Sequence, residues 1–354
     1  MEKVEMSKEL LDMFIDRTNE VIAYNLKKNS INSMFNIHDT FKKGYSGIYR
    51  CGTEDMATYY KYLGTPKSAL TIGGSGDQLF NLVDIGATDI HVFDINALTL
   101  MGTALRVGAL DSLNEREFIV FFQTLAHNLY ARIEQNLDED IAYYWSSIFS
   151  KWNNREINEG LFPYVTLTRE EFKKINLYLK KERYYALREK MKNINMGFIG
   201  CDVYDLPNVI KDYKYDAMVF SNIYEYIDMD NIDKESFLKK AKQYHDFITK
   251  DMTAHLNPNG TIMAAYMYAW NDEVRRYVEE MYSKHPEDVV PHGVMTDMEV
   301  YKKYLEGFTA QNVSYAMLYN EFMDDDKAIW IPTQHIIFGQ SFDTSNDMAL
   351  IYKP

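Results

Sequence analysis

Apolar and polar positions along the chain change rhythm several times, and each change predicts a different element. Residues from about 6 to 28 place Leu10, Leu11, Phe14, Val21 and Ile22 on one face of an amphipathic helix. A glycine-containing loop, "KKGYSGIYRCGTEDM", follows. "SALTI" is a short buried strand, and "GGSGD" after it is a turn. "QLFNLVDIGA" returns to helical spacing and ends near Gly86, and "DIHVFDIN" is a second strand closed by Asp94. Strand, helix and strand within so short a stretch make a βαβ unit.

Helical spacing dominates from about residue 98 to 195. "SLNEREFIVFFQTLAHNLYARIEQ" and "TREEFKKINLYLKKERYYALREKM" each open on a capping-box pattern, Ser112 with Glu115 and Thr168 with Glu171. "DEDIAYYWSSIFSKW" between them is a third helix. Strand character then returns in "MGFIGCDVYDLP", in "YDAMVFSNIYEYI" up to Phe220, and in "LNPNGTIMAAYMYAW" after a Pro/Gly turn. Of "SYAMLY", "HIIFGQ" and "MALIYKP", at least two are expected to be strands. The pattern predicts an α/β fold, a Rossmann-like doubly wound and mostly parallel sheet with a helical insertion after its second strand. The expected organisation is an N-terminal helical segment and loop (1–60), a nucleotide-binding domain (61–97 and 195–354) and the insertion (98–194).

Bulk properties narrow the function classes. The chain has 354 residues, long enough for a sizeable core, and its 28 tyrosines and 14% aromatic content exclude a disordered chain. A formal charge of -14 argues against a nucleic-acid or anionic-lipid surface, which needs clustered Lys and Arg. Cys51 and Cys201 are far apart and in no metal-ligand spacing, so reduced thiols are expected and no metal site. The charged, amphipathic start is not that of a signal peptide, and no apolar run approaches the roughly 20 residues that span a bilayer. A soluble cytoplasmic protein is the expectation.

Candidate chemistry gathers at the strand ends, where open α/β sheets bind their ligands. Gly73, Gly74, Ser75, Gly76 and Asp77 form the turn after the first strand, where missing Cβ atoms admit a ligand close to the backbone. Asp94 ends the second strand, where a carboxylate can accept both hydroxyl hydrogens of a ribose; a turn with a capping acid is the structural alternative. Asn96 follows it. Asp202 and Val203 stand after the third strand, and Ser221, Asn222, Tyr224 and Glu225 after the fourth.

The series from "TIGGSGD" through "VFDIN", "CDVYDLP" and "YDAMVFSNIYEYI" to "LNPNGTIM" is similar to the class I S-adenosylmethionine (SAM) methyltransferase fold, over about residues 65–97 and 195–270. The resemblance implies that Gly74 and Gly76 pass the methionine part of SAM and that Asp94 holds the ribose. It likewise implies Asp202 facing the adenine, with Ser221 and Asn222 bordering the sulfonium. Aligned on Gly76, Leu70 and Ile72 replace the acid and first glycine of the usual methyltransferase turn. The turn, the long insertion and the acidic pair Glu54 and Asp55 resemble the SAM:diacylglycerol 3-amino-3-carboxypropyl transferases of betaine-lipid synthesis. That family has Asn-Pro after its ribose acid, and here Asn96 precedes Ala97. The likeness implies a SAM-dependent enzyme that moves the aminocarboxypropyl group to a small-molecule or lipid-like acceptor, with methyl transfer as the alternative.

Within that reading Glu225, Tyr224 and Glu54 are the candidate catalytic groups, Glu225 first as base or acceptor-binding group; a helix N-terminal acid is its structural alternative. Arg50 is a candidate for a carboxylate, against an ordinary surface arginine. Tyr143, Tyr144 and Trp145, with Tyr266, Tyr268 and Trp270, are either an aromatic pocket for a cation or core. Cys201 reads as a buried small residue, and "DDD" at Asp324 to Asp326 as a solvated turn. An NAD-dependent oxidoreductase lacks its G-x-G-x-x-G register here. A non-catalytic SAM-binding or partner-docking domain is the remaining alternative.

Overall fold

The computed structural model describes residues 6–28, 44–162, 168–227, 234–268, 270, 274–276, 279, 280, 283, 310–334 and 347–354. Among these residues seven strands form one sheet: β1 (Ser68–Ile72), β2 (Asp89–Asp94), β3 (Asn195–Gly200), β4 (Tyr215–Val219), β5 (Leu256–Met267), β6 (Ala328–Thr333) and β7 (Asp347–Tyr352). Their order is β3-β2-β1-β4-β5-β7-β6. β1 to β5 pair in parallel, and β7 runs antiparallel between β5 and β6. This is the doubly wound, mostly parallel architecture expected from the sequence, with the strand order of the class I methyltransferase type. The chain reverses its winding direction between β1 and β4, and the crevice at their carboxyl ends is where such folds hold ligands.

The central strands are apolar on both faces because helices cover both. Ala69, Ile90, Val92, Ala217 and Val219 face one layer, while Leu70, Phe93, Met218 and Phe220 face the other. The first layer holds the helix Asp77–Ile85, the insertion and the N-terminal helix Lys8–Lys28. Leu11, Val21 and Ile22 of the N-terminal helix, Ile119 and Trp145 of the insertion, and Val92 of β2 belong to one continuous core. Leu10, expected on the same buried face, is instead 39% exposed. The second layer includes the helices Lys234–Asp246 and Ala310–Phe322.

The insertion is more finely divided than its periodicity suggests. Among the described residues seven α-helices lie between β2 and β3: Leu98–Ser112, Glu115–Thr124, His127–Glu134, Glu139–Lys151, Asn154–Gly160, Arg169–Ile175 and Lys181–Met191. The expected single helix from Ser112 breaks at Leu125, whose φ of 50° is left-handed. Its cap is Asn114 with Glu117, not Ser112 with Glu115. Ser112 instead ends the preceding helix, where its hydroxyl donates to the Gly108 carbonyl at 2.7 Å. The Thr168–Glu171 capping box is present as expected.

Two corrections concern the last strands. "SYAMLY" lies inside the helix Ala310–Phe322, and Val313 to Leu318 are all buried. A segment buried all round has no amphipathic period, so its sequence does not separate helix from strand. The strand Ala328–Thr333, which the sequence reading missed, takes the position beside β7. "HIIFGQ" lies outside the described residues. No helix among the described residues is long and apolar enough to cross a membrane.

Candidate functional site

A cavity of about 430 Å³ opens at the carboxyl ends of β1 to β4. That volume falls within the roughly 300–1,000 Å³ of small-molecule sites. Its floor is built from the ends of the strands, and the segment 46–54, just before β1, forms a further wall.

The turn after β1 is shaped by what its glycines lack. A Cβ on Gly73 would stand 2.6 Å from Thr99 Cγ2 and 2.9 Å from Asp94 Oδ2, so only glycine lets β1 and Asp94 come this close. Gly76 has φ of 84° and caps the helix Asp77–Ile85, a backbone that disfavours any side chain. Gly74 and Ser75 line the cavity; Gly73 and Gly76 lie behind and set the turn.

Asp94 is the best organised acid of the site. Gly74 N–H donates to its Oδ2 at 3.0 Å and Asn96 N–H to its Oδ1 at 2.8 Å. Those amides take one acceptor site on each carboxylate oxygen, and the Thr99 hydroxyl donates to the same carboxyl. Burial pushes the carboxyl up to about 6, against those two amides and Thr99, which favour the charged form. Asn96 fixes the wall opposite by donating from Nδ2 to the Gly47 carbonyl at 3.0 Å. Asp202 caps the turn after β3, accepting from Tyr204 N–H at 2.9 Å, and with Val203 lines the cavity beyond Asp94.

Ser221 and Asn222 close the β4 side. Ser221 has a left-handed φ of 55°, held by the Tyr266 N–H on its carbonyl at 2.9 Å. Its hydroxyl donates to Glu54 Oε1, and Tyr59 OH donates to Oε2 at 2.7 Å. Glu54, only 2% exposed, lines the cavity from the segment preceding β1. Burial raises its carboxyl to about 7, opposed by the hydrogen bonds from Ser221 and Tyr59. Its neighbour Asp55 instead caps the helix Met56–Tyr59, accepting from Thr58 N–H at 3.3 Å.

Three of the sequence expectations are displaced. In the short helix Ile223–Tyr226, Ile223, Tyr226 and the following Ile227 share the face toward the cavity, the spacing expected of one helical face. Tyr224 therefore points into the core, 1% exposed, its hydroxyl donating to the Ser314 carbonyl at 3.0 Å. Glu225 lies outside the lining and accepts from Tyr315 OH at 3.2 Å. Asp77 does not face the cavity either. It is wholly buried and accepts from Arg106, Tyr178, Gly52 N–H and Ser75.

Other expectations resolve as follows. Arg50 is 8% exposed, not a surface residue, and donates to the Phe162 carbonyl at 2.9 Å. Tyr144 and Trp145 are core, Tyr143 is exposed, and of the second aromatic group only Tyr268 reaches the cavity. Cys201 is only partly buried and also lines it. No group of His, Cys, Asp and Glu among the described residues is placed to hold a metal ion. The sequence reading missed Tyr49, Thr53, Tyr226 and Gln243. Tyr49 and Tyr226 meet hydroxyl to hydroxyl. The only signal for Tyr49 and Thr53 was their proximity to Glu54, and Gln243 on its helix carried none.

No family model and no curated protein matches the sequence. Among solved structures, the chain is similar to the N-methyltransferase NodS from Bradyrhizobium japonicum WM9 in complex with S-adenosyl-L-homocysteine, at 10% identity and TM-score 0.33, over 96% of this chain and 98% of that one. It is also similar to the plantazolicin methyltransferase BpumL in complex with the same compound, at 11% identity and TM-score 0.32, over 96% and 99%.

Proposed function

We propose that the protein is a SAM-dependent transferase, with the donor bound across the ends of β3, β2, β1 and β4. One observation carries this reading. Asp94, at the end of β2, is held by the Gly74 and Asn96 amides beside a glycine turn and lines the cavity, where a carboxylate accepts from the hydroxyls of a ribose. Asp202 and Val203 would border the adenine, and Gly74 and Ser75 would pass the methionine part. Ser221, Asn222 and Glu54 then stand where the sulfonium arrives.

The reaction is a displacement at a carbon bonded to sulfur. The acceptor's lone pair forms the new bond, the C–S electron pair goes to sulfur, and the acceptor's proton leaves. The chain's tasks are to align the acceptor, take that proton and exclude water. Methyl transfer releases S-adenosylhomocysteine and is supported by the strand order of the sheet. Aminocarboxypropyl transfer releases methylthioadenosine. It is supported by Glu54, one of the acidic pair before β1, which faces the cavity, and by the helices between β2 and β3.

The test is to titrate the protein with SAM by calorimetry, then incubate it with SAM and candidate acceptors and identify the nucleoside product by mass spectrometry. Binding followed by either product supports the proposal and names the group transferred. Absence of SAM binding overturns it, and binding without any product leaves a non-catalytic SAM-binding protein in its place.

A further inference from the structure

We infer that Glu54 supplies the negative charge facing the donor's cationic centre, so that the cavity holds a sulfonium in preference to its neutral thioether product. This rests on the SAM reading above and adds a selectivity to it.

Position comes first. Asp202 and Asp94 stand at the ends of β3 and β2, while Glu54 is bonded to Ser221 at the end of β4. With neighbouring strands about 4.8 Å apart, β3 and β4 are separated by roughly 14 Å. A donor whose base lies at β3 and whose ribose lies at β2 brings its sulfur past β1 toward β4, to the end of the cavity that Glu54 lines.

Charge comes second. Among the described residues that line the cavity are three carboxyl groups, Glu54, Asp94 and Asp202, and no Lys, Arg or His. Among the described residues, the titratable groups that face Glu54 are Tyr59 and Tyr60 from the segment before β1, Tyr266 and Tyr268 at the end of β5, and Asp347 on β7. All are neutral or negative. Hydroxyl donors satisfy the Glu54 oxygens without neutralising them, and a buried carboxylate left without a positive charge is unfavourable. A sulfonium supplies that charge, and Tyr268, an aromatic residue of the kind that attracts cations, lines the same cavity.

The consequence is a change of affinity across the reaction. Transfer of either alkyl group leaves sulfur as an uncharged thioether, and the attraction to Glu54 ends with it. The carboxyl is raised to about 7 in the free protein, so the preference for the cation grows as pH rises through that value. Asp94 faces the ribose of donor and product alike and cancels from their ratio.

The test is to measure SAM and S-adenosylhomocysteine binding to the full chain by calorimetry at pH 6 and pH 8, in the natural protein and in Glu54→Gln. The expected result is that the ratio of affinities, SAM over product, rises severalfold, up to about tenfold, between the two pH values. Glu54→Gln is expected to flatten that rise while both compounds still bind. If both bind and the natural protein shows no rise, the inference is overturned without any need for the variant. A rise that persists unchanged in Glu54→Gln also overturns it. If neither compound binds, the SAM reading falls first and this one with it.

Discussion

Arg106 Nη1 lies 2.8 Å from Asp77 Oδ1, and both side chains are shut away from water, at 1% and 0% exposure. Arg106 also lies over the Phe122 ring at 4.1 Å and donates to the Arg50 carbonyl. Asp77 in turn accepts from Gly52 N–H at 2.6 Å, Ser75 Oγ at 2.9 Å and Tyr178 OH at 2.6 Å. One ion pair thus ties the glycine turn to the segment before β1 and to two parts of the insertion. Removing one partner of a buried pair leaves an uncompensated charge and costs about 3–5 kcal/mol. Arg106→Met and Asp77→Asn are both expected to lower the urea midpoint strongly. Two variants within about 0.5 kcal/mol of the natural protein would show that the pair does not hold the turn.

Asp94→Ala is expected to weaken SAM and S-adenosylhomocysteine alike. Two hydrogen bonds to a charged group are worth about 1.5–3 kcal/mol each, so a loss of at least about 100-fold is the expected scale. The melting temperature should stay close to that of the natural protein. In the natural protein both affinities should fall as pH drops through about 6, where the carboxyl takes up a proton and loses acceptor capacity. Calorimetry from pH 5 to 7.5 checks this. Affinities that do not change across that range would place the ribose elsewhere.

Glu54 sets a pH dependence of stability with a definite sign. Its folded carboxyl titrates at about 7, above its ordinary value of 4.5, so between those values the folded chain holds a proton that the unfolded chain has lost. Its contribution therefore falls as pH rises from 4.5 to 7 and is level above. Glu54→Gln cannot ionise. The difference in melting temperature, variant minus natural, is expected to become more positive from pH 5 to pH 8. A difference that is constant or reversed would mean that the carboxyl is not raised.

Gly73 and Gly64 separate close approach from backbone strain. Gly73→Ala drives a methyl to 2.6 Å from Thr99 Cγ2 and 2.9 Å from Asp94 Oδ2 and should abolish donor binding. Gly64 has φ of +72° with nothing within 4 Å of an added Cβ. Gly64→Ala should cost only about 1–2 kcal/mol of stability and leave binding intact. Parallel melting and binding curves distinguish the two.

The first four strands were legible because each is a short stretch rich in apolar residues that ends in glycine or polar residues, and β1 and β4, at the centre of the sheet, are the most deeply buried of them. Asp94 and the glycine turn were legible for the same reason, since their roles depend on strand ends. Glu54 was visible only through family likeness. Tyr224 and Glu225 were misplaced because a strand end does not reveal which face the next helix turns inward. The helix around Val313 was unreadable because burial on every side erases its period, and β6 was hidden in a six-residue run containing Pro332.

The place of β7 between β5 and β6 has a consequence for how this side of the sheet holds together. β6 precedes β7 along the chain, and its strand partner in the sheet is β7. Among the described residues β7 is the strand that joins β6 to the rest of the sheet, so a change that weakens residues 347–352 would release the pairing of β6 as well as the outer edge of β5.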